Sequence, residues 1–208
     1  MDESSLKMTE AELDRQICDA FFRQLETETL ASMTPETLAE LAGCEVQAVI
    51  ARGADAEQLA CFVMEVLDRQ ALAESATDFA DAEDASVYEK ILEGLIHRFE
   101  VLAPYRAGFE KLHQSCFMRP ALGVKLALQL QTTIDRLLML SGDDSAGIVR
   151  AARIKGVFAV LMRVRKTWIK DDTPDLSQTL NALDKSLRDA QEWALSLRVL
   201  SAQDAHQE

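Results

Sequence analysis

Two turns decide the fold of this chain: Gly142-Asp143-Asp144-Ser145 and Asp171-Asp172-Thr173-Pro174-Asp175-Leu176. Between them, residues 146–170 contain no acidic residue and seven lysines and arginines. Glycine and proline interrupt helices, and short acidic residues are favoured at the start of the next one. The two turns therefore predict a long basic helix over 146–170 and a last helix capped by Thr173-Pro174.

The last predicted helix carries apolar residues that are alternately four and three positions apart. This spacing places one apolar seam along the helix and is typical of packing against a nearly antiparallel partner. Because the seam is longer than the core of one subunit needs, we expect the last two helices to form a four-helix interface in a homodimer. The expected interface residues are Val157, Leu161, Trp168, Leu176, Leu180, Leu183 and Leu187.

The composition favours helix throughout the chain. Of the 208 residues, 48% are apolar, whereas there are only 8 glycines and 4 prolines. Such a chain supports a real core, and its abundant alanine, leucine and glutamate favour helices over sheets. We expect an all-α protein of about nine helices, as the apolar periodicity indicates. A cytoplasmic location is expected, because no apolar run reaches the roughly 18 residues of a membrane span and the acidic N-terminus lacks a signal pattern.

Residues with catalytic or metal-binding chemistry are scattered. The four cysteines include no C-x-x-C pair and are expected to be reduced. His113 and Cys116 are three residues apart, but no further ligand lies near them in sequence. The paired acids of the two turns are expected to cap helices rather than to catalyse. We therefore expect no catalytic residue, no metal site and no cofactor, and a protein that is not an enzyme.

The N-terminal third begins with helix-capping signals. Thr9-Glu10-Ala11-Glu12 fits a capping box, Thr34-Pro35 opens a second helix, and Gly43 closes that helix. Residues 74–86 are acidic and small, which predicts a linker. The expected domains are accordingly 1–73 and 86–203, a helix-turn-helix unit on a larger helical bundle.

The segment from Thr34 to Leu59 resembles the N-terminal domain of TetR-type regulators. The resemblance rests on Leu38-Ala39, Ala42-Gly43, Val46, Val49, Glu57 and Leu59. It implies a phosphate-binding tyrosine and lysine at positions that Ile50 and Ala56 occupy here. Only Gln47 and Arg52 remain as candidate DNA contacts.

Charge opposes DNA binding by this segment. Residues 1–70 hold 15 acidic and 5 basic residues, so most of the net charge of −13 lies there. Each missing phosphate contact removes a counterion-release contribution, and nearby acids repel the duplex. We expect a helix-turn-helix that is retained as a scaffold.

The C-terminal half resembles the coenzyme-Q biosynthesis accessory family (Coq nine). The resemblance is carried by residues 97–105 and 135–190, through Asp135, Gly142-Asp143, Ser145, Arg153, the Asp171–Leu176 turn, Thr179 and Asp189-Ala190. It implies a TetR-like fold that binds lipid as the partner of a biosynthetic enzyme and does not read DNA. The chain departs from the family at 146–152, where the family has an aromatic-rich run. The basic helix that follows fits either an anionic partner or membrane surface, or pairing with the acidic N-terminal domain or a neighbouring subunit.

In folds of this family the ligand cavity lies inside the larger bundle. The resemblance places Ile96, Phe99, Leu130, Ile134, Phe158 and Met162 around it. A lining with so little hydrogen-bonding capacity implies a largely hydrocarbon ligand, such as an isoprenoid, fatty acyl or quinone-like molecule. The expected function is a non-enzymatic accessory protein that binds an apolar ligand, and the family resemblance implies a possible partner enzyme. The alternative is a ligand-responsive, DNA-binding transcriptional regulator of the TetR type.

Overall fold

The computed structural model describes residues 9–82 and 84–204, with side chains as far as residue 192. Within these ranges the regular elements are helices and there is no β-strand, so the predicted all-α class is confirmed. Short 3-10 turns lie at Leu30–Ser32 and Ala103–Tyr105. The helices are α1 (Glu10–Thr27), α2 (Pro35–Ala42), α3 (Val46–Ile50), α4 (Ala56–Asp81), α5 (Val87–Leu102), α6 (Arg106–Met118), α7 (Pro120–Leu140), α8 (Gly147–Trp168) and α9 (Ser177–Asp204).

The first helices begin and end where local sequence signals predict. The backbone N–H of Glu12 donates to the Thr9 hydroxyl at 3.2 Å, and the Thr9 N–H donates to the Glu12 carboxylate at 2.8 Å. Thr34 caps α2 in the same way, with proline at its first position. Gly43 ends α2 in the left-handed conformation, with φ of 66°. These caps satisfy backbone groups that a helix end leaves without partners.

The last helix begins later than predicted. α9 starts at Ser177 rather than beside Thr173-Pro174, and Leu176 before it adopts a positive φ of 48°. The Ser177 N–H donates to the Thr173 hydroxyl at 3.1 Å, and the Thr179 N–H donates to the Asp171 carboxylate at 2.7 Å. The turn therefore caps the helix from several residues upstream, and its proline stays outside.

The predicted linker at 74–86 is wrong for most of its length, because α4 continues to Asp81. Alanine and glutamate in this stretch favour helix. The Ser75 hydroxyl donates to the Ala71 carbonyl at 2.8 Å, and the Thr77 hydroxyl donates to the Ala73 carbonyl at 3.1 Å. Bonds to the carbonyl four residues back let small polar side chains remain in a helix.

The chain divides into two compact units that differ from the predicted domains. Unit 1 comprises Met1–Gln70 with Leu102–Gln129, and unit 2 comprises Ala71–Val101 with Leu130–Glu208. The main difference lies in residues 102–129, which were expected in the C-terminal bundle but belong to unit 1, where α6 packs against α1. Residues 71–73, expected in the N-terminal domain, belong to unit 2.

Close packing in unit 1 explains why α6 belongs there. A Cβ atom on Gly108 would lie 2.8 Å from the carbonyl oxygen of Phe22, so only glycine allows this approach of α6 to α1. The Phe22 ring stacks on the Tyr105 ring with centroids 4.9 Å apart. The Tyr105 hydroxyl donates to the Asp19 carboxylate at 2.5 Å. These are long-range contacts that no local pattern indicates.

Unit 2 is organised by the packing of α8 against α9. Trp168 at the end of α8 is fully buried, and its ring lies 5.3 Å from the ring of Phe99 on α5. Leu183 and Leu187 of α9 are buried as well. Among the described residues, none of the helices combines the length and the apolar character that crossing a bilayer requires.

Candidate functional site

The residues predicted for a dimer interface lie mostly in the interior of unit 2. Leu180 is 38% exposed, whereas the other six are buried within a single chain. Packing of α8 against α9 inside one chain therefore accounts for the heptad spacing without a second subunit. The homodimer stays a prediction, and Leu180 is the seam residue that remains accessible to it.

The six residues predicted to line a ligand cavity all belong to unit 2. Ile96, Phe99, Leu130 and Ile134 are buried, and Phe158 and Met162 are half-buried. Because Phe99 contacts Trp168, the predicted lining and the predicted interface meet in the same interior. The cavity itself stays a prediction.

An exposed apolar corner lies where α7 ends and α8 begins. Ile148 is 89% exposed and Met139 is 66% exposed, and Leu140 and Val149 are exposed as well. We call these four residues the α7–α8 corner. Gly142, with φ of 81°, lies in the six-residue connection between the two helices.

Arg150 fixes the geometry of this corner. Its Nε donates to Asp135 Oδ1 and its Nη2 donates to the Asp135 carbonyl, both at 2.6 Å. Its Nη1 donates to the Asp143 carbonyl at 3.3 Å. One guanidinium thus ties the first turn of α8 to the last turns of α7.

The residues that carry the family resemblance mainly stabilise turns. The buried Asp143 carboxylate accepts from the Ser145 N–H at 2.8 Å and also from Arg153. Burial raises the pKa of Asp143, but the hydrogen bonds from Ser145 and Arg153 outweigh it, so the pKa is lowered from its ordinary value. This carboxylate therefore stabilises the loop before α8 and pairs with Arg153; the prediction that it caps the helix is wrong, because α8 begins at Gly147 without a side-chain cap.

Arg52, the single cation of the segment from Thr34 to Leu59 that was predicted to be a helix-turn-helix, makes its contacts within unit 1. Arg52 Nε donates to Asp14 Oδ1 at 2.6 Å, and its Nη1 donates to the Ala48 carbonyl at 2.9 Å. Its guanidinium also lies 5.7 Å from the Phe62 ring centroid. Gln47 is exposed. Of the two candidate DNA contacts, one is therefore engaged within the protein.

A cluster that the sequence analysis missed lies on α4 and α5 of unit 2. Nε2 of the buried His97 is 3.1 Å from Asp78 Oδ2 and 3.3 Å from Glu93 Oε1. One ligand atom from each of the three residues lies within 4.8 Å of the other two. Glu93 and His97, one helical turn apart, were a visible signal, but their meeting with Asp78 depends on how α4 packs against α5.

His113 and Cys116, which are three residues apart in the sequence, make separate contacts. His113 lies edge-on to Phe117, with centroids 5.4 Å apart, and the Cys116 thiol donates to the Leu112 carbonyl at 3.4 Å. All four cysteines are free. Burial raises the pKa of the Cys18 thiol to about 12, so this group is not a reactive thiolate at neutral pH.

Neither a protein-family model nor a curated protein matches this chain. Two features of unit 2 are candidate sites: the exposed apolar residues beside the basic helix α8, and the buried His97 that faces two carboxylates.

Proposed function

We propose that this protein is a non-enzymatic accessory protein that binds an apolar, lipid-like molecule and delivers it to a partner enzyme. The observation that carries the proposal is the α7–α8 corner, which holds four exposed apolar side chains on a fixed turn. The resemblance to a TetR-like, lipid-binding family supports the same function.

The exposure of these side chains has an energetic consequence. Burying a side chain such as Ile148 stabilises a complex by about 1.5–3 kcal/mol relative to leaving it in water. Arg150 ties the start of α8 to Asp135 of α7, beside these exposed side chains. An apolar ligand, or the apolar surface of a partner, is what would cover these residues.

The positive charge of α8 indicates which head group the ligand would carry. Arg153 and Arg163 pair with Asp143 and Asp189, whereas Lys155 and Lys166 are exposed, and residues 145–170 contain no acid. A hydrocarbon chain with an anionic or polar head would match apolar residues at the start of α8 and cations along it. Fatty acyl, isoprenoid and quinone-like molecules have this chemistry.

The direct test is lipid analysis of the purified protein together with titration by a fluorescent long-chain fatty acid. Wild-type protein is expected to contain co-purified lipid and to bind the probe. Changing Ile148 and Val149 together to serine is expected to weaken binding about tenfold or more, since contacts worth over 1 kcal/mol are lost.

A matched control uses exposed apolar residues on α7 in unit 1. Changing Val124 and Leu128 together to serine removes comparable apolar surface and should leave binding unchanged. Equal weakening in both variants would indicate nonspecific adsorption. No co-purified lipid and no probe binding by the wild-type protein would contradict the proposal.

A DNA-binding regulator is the alternative, and the same preparation tests it. Binding to DNA is expected to be weak even at low salt, because Arg52 is paired with Asp14 and the segment is acidic. Changing Ile50 to tyrosine and Ala56 to lysine should raise nonspecific affinity by adding two phosphate contacts. Tight, sequence-specific binding by the wild-type protein at physiological salt would favour the regulator instead.

A further inference from the structure

The cluster of Asp78, Glu93 and His97 combines two exposed carboxylates with one buried imidazole. The His97 side chain is nearly inaccessible, whereas the two acids are more than half exposed. The imidazole thus forms the buried side of the site, and the two carboxylates form its solvent-exposed side. It lies within unit 2, on helices that neighbour each other in sequence.

The hydrogen bonds around Ser75 determine which histidine nitrogen carries a proton. Ser75 is fully buried, and its hydroxyl donates its only proton to the Ala71 carbonyl at 2.8 Å. The same oxygen lies 3.0 Å from His97 Nδ1. Because the hydroxyl proton is already used, Nδ1 must be the donor and Ser75 the acceptor.

This assignment leaves Nε2 as the nitrogen that faces the carboxylates. In the neutral imidazole, Nε2 then has a lone pair, and ionised carboxylates are acceptors only. Three electron-pair donors therefore converge, and an electropositive species between them would offset their repulsion. Either a proton on Nε2 or a metal cation can supply the positive charge.

We infer that the site binds a divalent first-row transition metal ion, with Zn²⁺ as the best match. For metal–ligand bonds of about 2.0–2.1 Å, the 3.1 Å and 3.3 Å separations from Nε2 correspond to angles of about 95–110° at the ion. These angles lie in the tetrahedral to octahedral range. Imidazole nitrogen favours zinc and its neighbours over magnesium or calcium, which prefer oxygen alone.

Ser75 is the positioning residue of this site. Histidine ligands usually donate their second N–H to a fixed acceptor, which sets the tautomer and the ring orientation. Here the acceptor is a buried hydroxyl on α4, three residues before Asp78 on the same helix. Three protein ligands leave coordination positions for water on the exposed side, as in sites that keep an open position.

The test is calorimetric titration of the full-length, reduced protein with Zn²⁺ at neutral pH. Wild-type protein is expected to bind one ion per chain, and Zn²⁺ is expected to raise its Tm, because a ligand of the folded state stabilises it. Asp78→Asn combined with Glu93→Gln should weaken binding at least tenfold. Both acids are exposed, so this variant should fold.

Two controls separate the site from general charge effects. Asp81→Asn combined with Glu100→Gln removes the same charge from exposed acids of the same two helices, and should bind like the wild type. Ser75→Ala leaves all three ligands in place and should weaken binding about tenfold or more by releasing the tautomer.

Titration with Co²⁺ identifies the ligand atoms. A visible spectrum without a thiolate-to-metal charge-transfer band is expected for nitrogen and oxygen ligands. A thiolate band would place the metal at the cysteines and overturn the inference. Unchanged affinity in the Asp78/Glu93 variant would do the same, as would failure of the wild-type protein to bind Zn²⁺ at millimolar concentration, which would leave the cluster an ion pair.

Discussion

Asp171 illustrates at the level of one residue how a turn stabilises this fold. Its carboxylate is fully buried and accepts four hydrogen bonds, from the backbone N–H and the hydroxyl of both Thr173 and Thr179. Burial raises the pKa of Asp171, but these hydrogen bonds outweigh it and lower the pKa from 3.8 to about 2. The ionised form therefore contributes to folding stability.

We predict that Asp171→Asn lowers the free energy of unfolding at pH 7 by about 1–2 kcal/mol, because an amide replaces a charged acceptor at the start of α9. Chemical denaturation measures the change. Asp172→Asn is the control, since Asp172 is exposed and should have little effect. An equal loss in both variants would contradict the special role of the buried carboxylate.

The Asp171 carboxylate also determines how the folding stability of the wild-type protein depends on pH. Its folded-state pKa of about 2 lies below the unfolded value of about 3.9. The stabilisation is therefore complete above about pH 5 and is lost as the pH falls toward 2. The Asp171→Asn variant should therefore lose less folding stability than the wild type as the pH falls from about 5 to about 2.

The sequence predicts only some of the side chains that cap the helices. The acids of both turns were expected to cap helices, and the Asp171 carboxylate does so. The sequence could not show that Asp171 reaches Thr179, because eight residues separate them and the path depends on the positive φ of Leu176. The capping box of Thr9 and Glu12 was fully predictable, since its partners are three residues apart.

At the level of elements, the α8–α9 pair provides the central packing of unit 2. Leu183 is fully buried on α9, whereas Leu180 one turn earlier is partly exposed. We predict that Leu183→Ala lowers the free energy of unfolding by about 2–5 kcal/mol, the usual cost of a large-to-small core substitution. Leu180→Ala should cost well under half as much, and thermal or urea unfolding compares the two.

Equal losses from the two leucine variants would mean that the seam continues across Leu180, as a dimer interface at that position requires. The sequence pattern alone does not separate these possibilities. A heptad spacing indicates that one face of a helix is buried. It does not indicate whether the same chain or a second chain covers that face.

Pairings between helices were the least predictable feature. Residues 74–81 were expected to be a linker because they are acidic and small, yet alanine content and two backbone-bonded hydroxyls keep them helical. With the linker misplaced, the approach of Asp78 to His97 had no basis in the sequence. Likewise, the Gly108–Phe22 contact that brings α6 to α1 joins residues 86 positions apart.

At the level of the whole molecule, we predict a homodimer with twice the 23.1 kDa mass of one chain. Leu180 is the accessible seam residue, and Leu180→Asp should produce a monomer that keeps its helical circular dichroism. Sedimentation velocity measures the mass. Leu41→Asp alters a comparably exposed leucine of α2 and should leave the dimer intact. A wild-type protein that sediments as a monomer at all concentrations would contradict the assignment.

The two units share helices, and this has a consequence for any attempt to divide the chain. α4 passes from unit 1 into unit 2 after Gln70, and α7 does so after Gln129. A break at any single internal peptide bond would leave parts of at least one unit on different fragments. A single cut can therefore leave at most one unit whole, and separating the two units would require cuts within both α4 and α7.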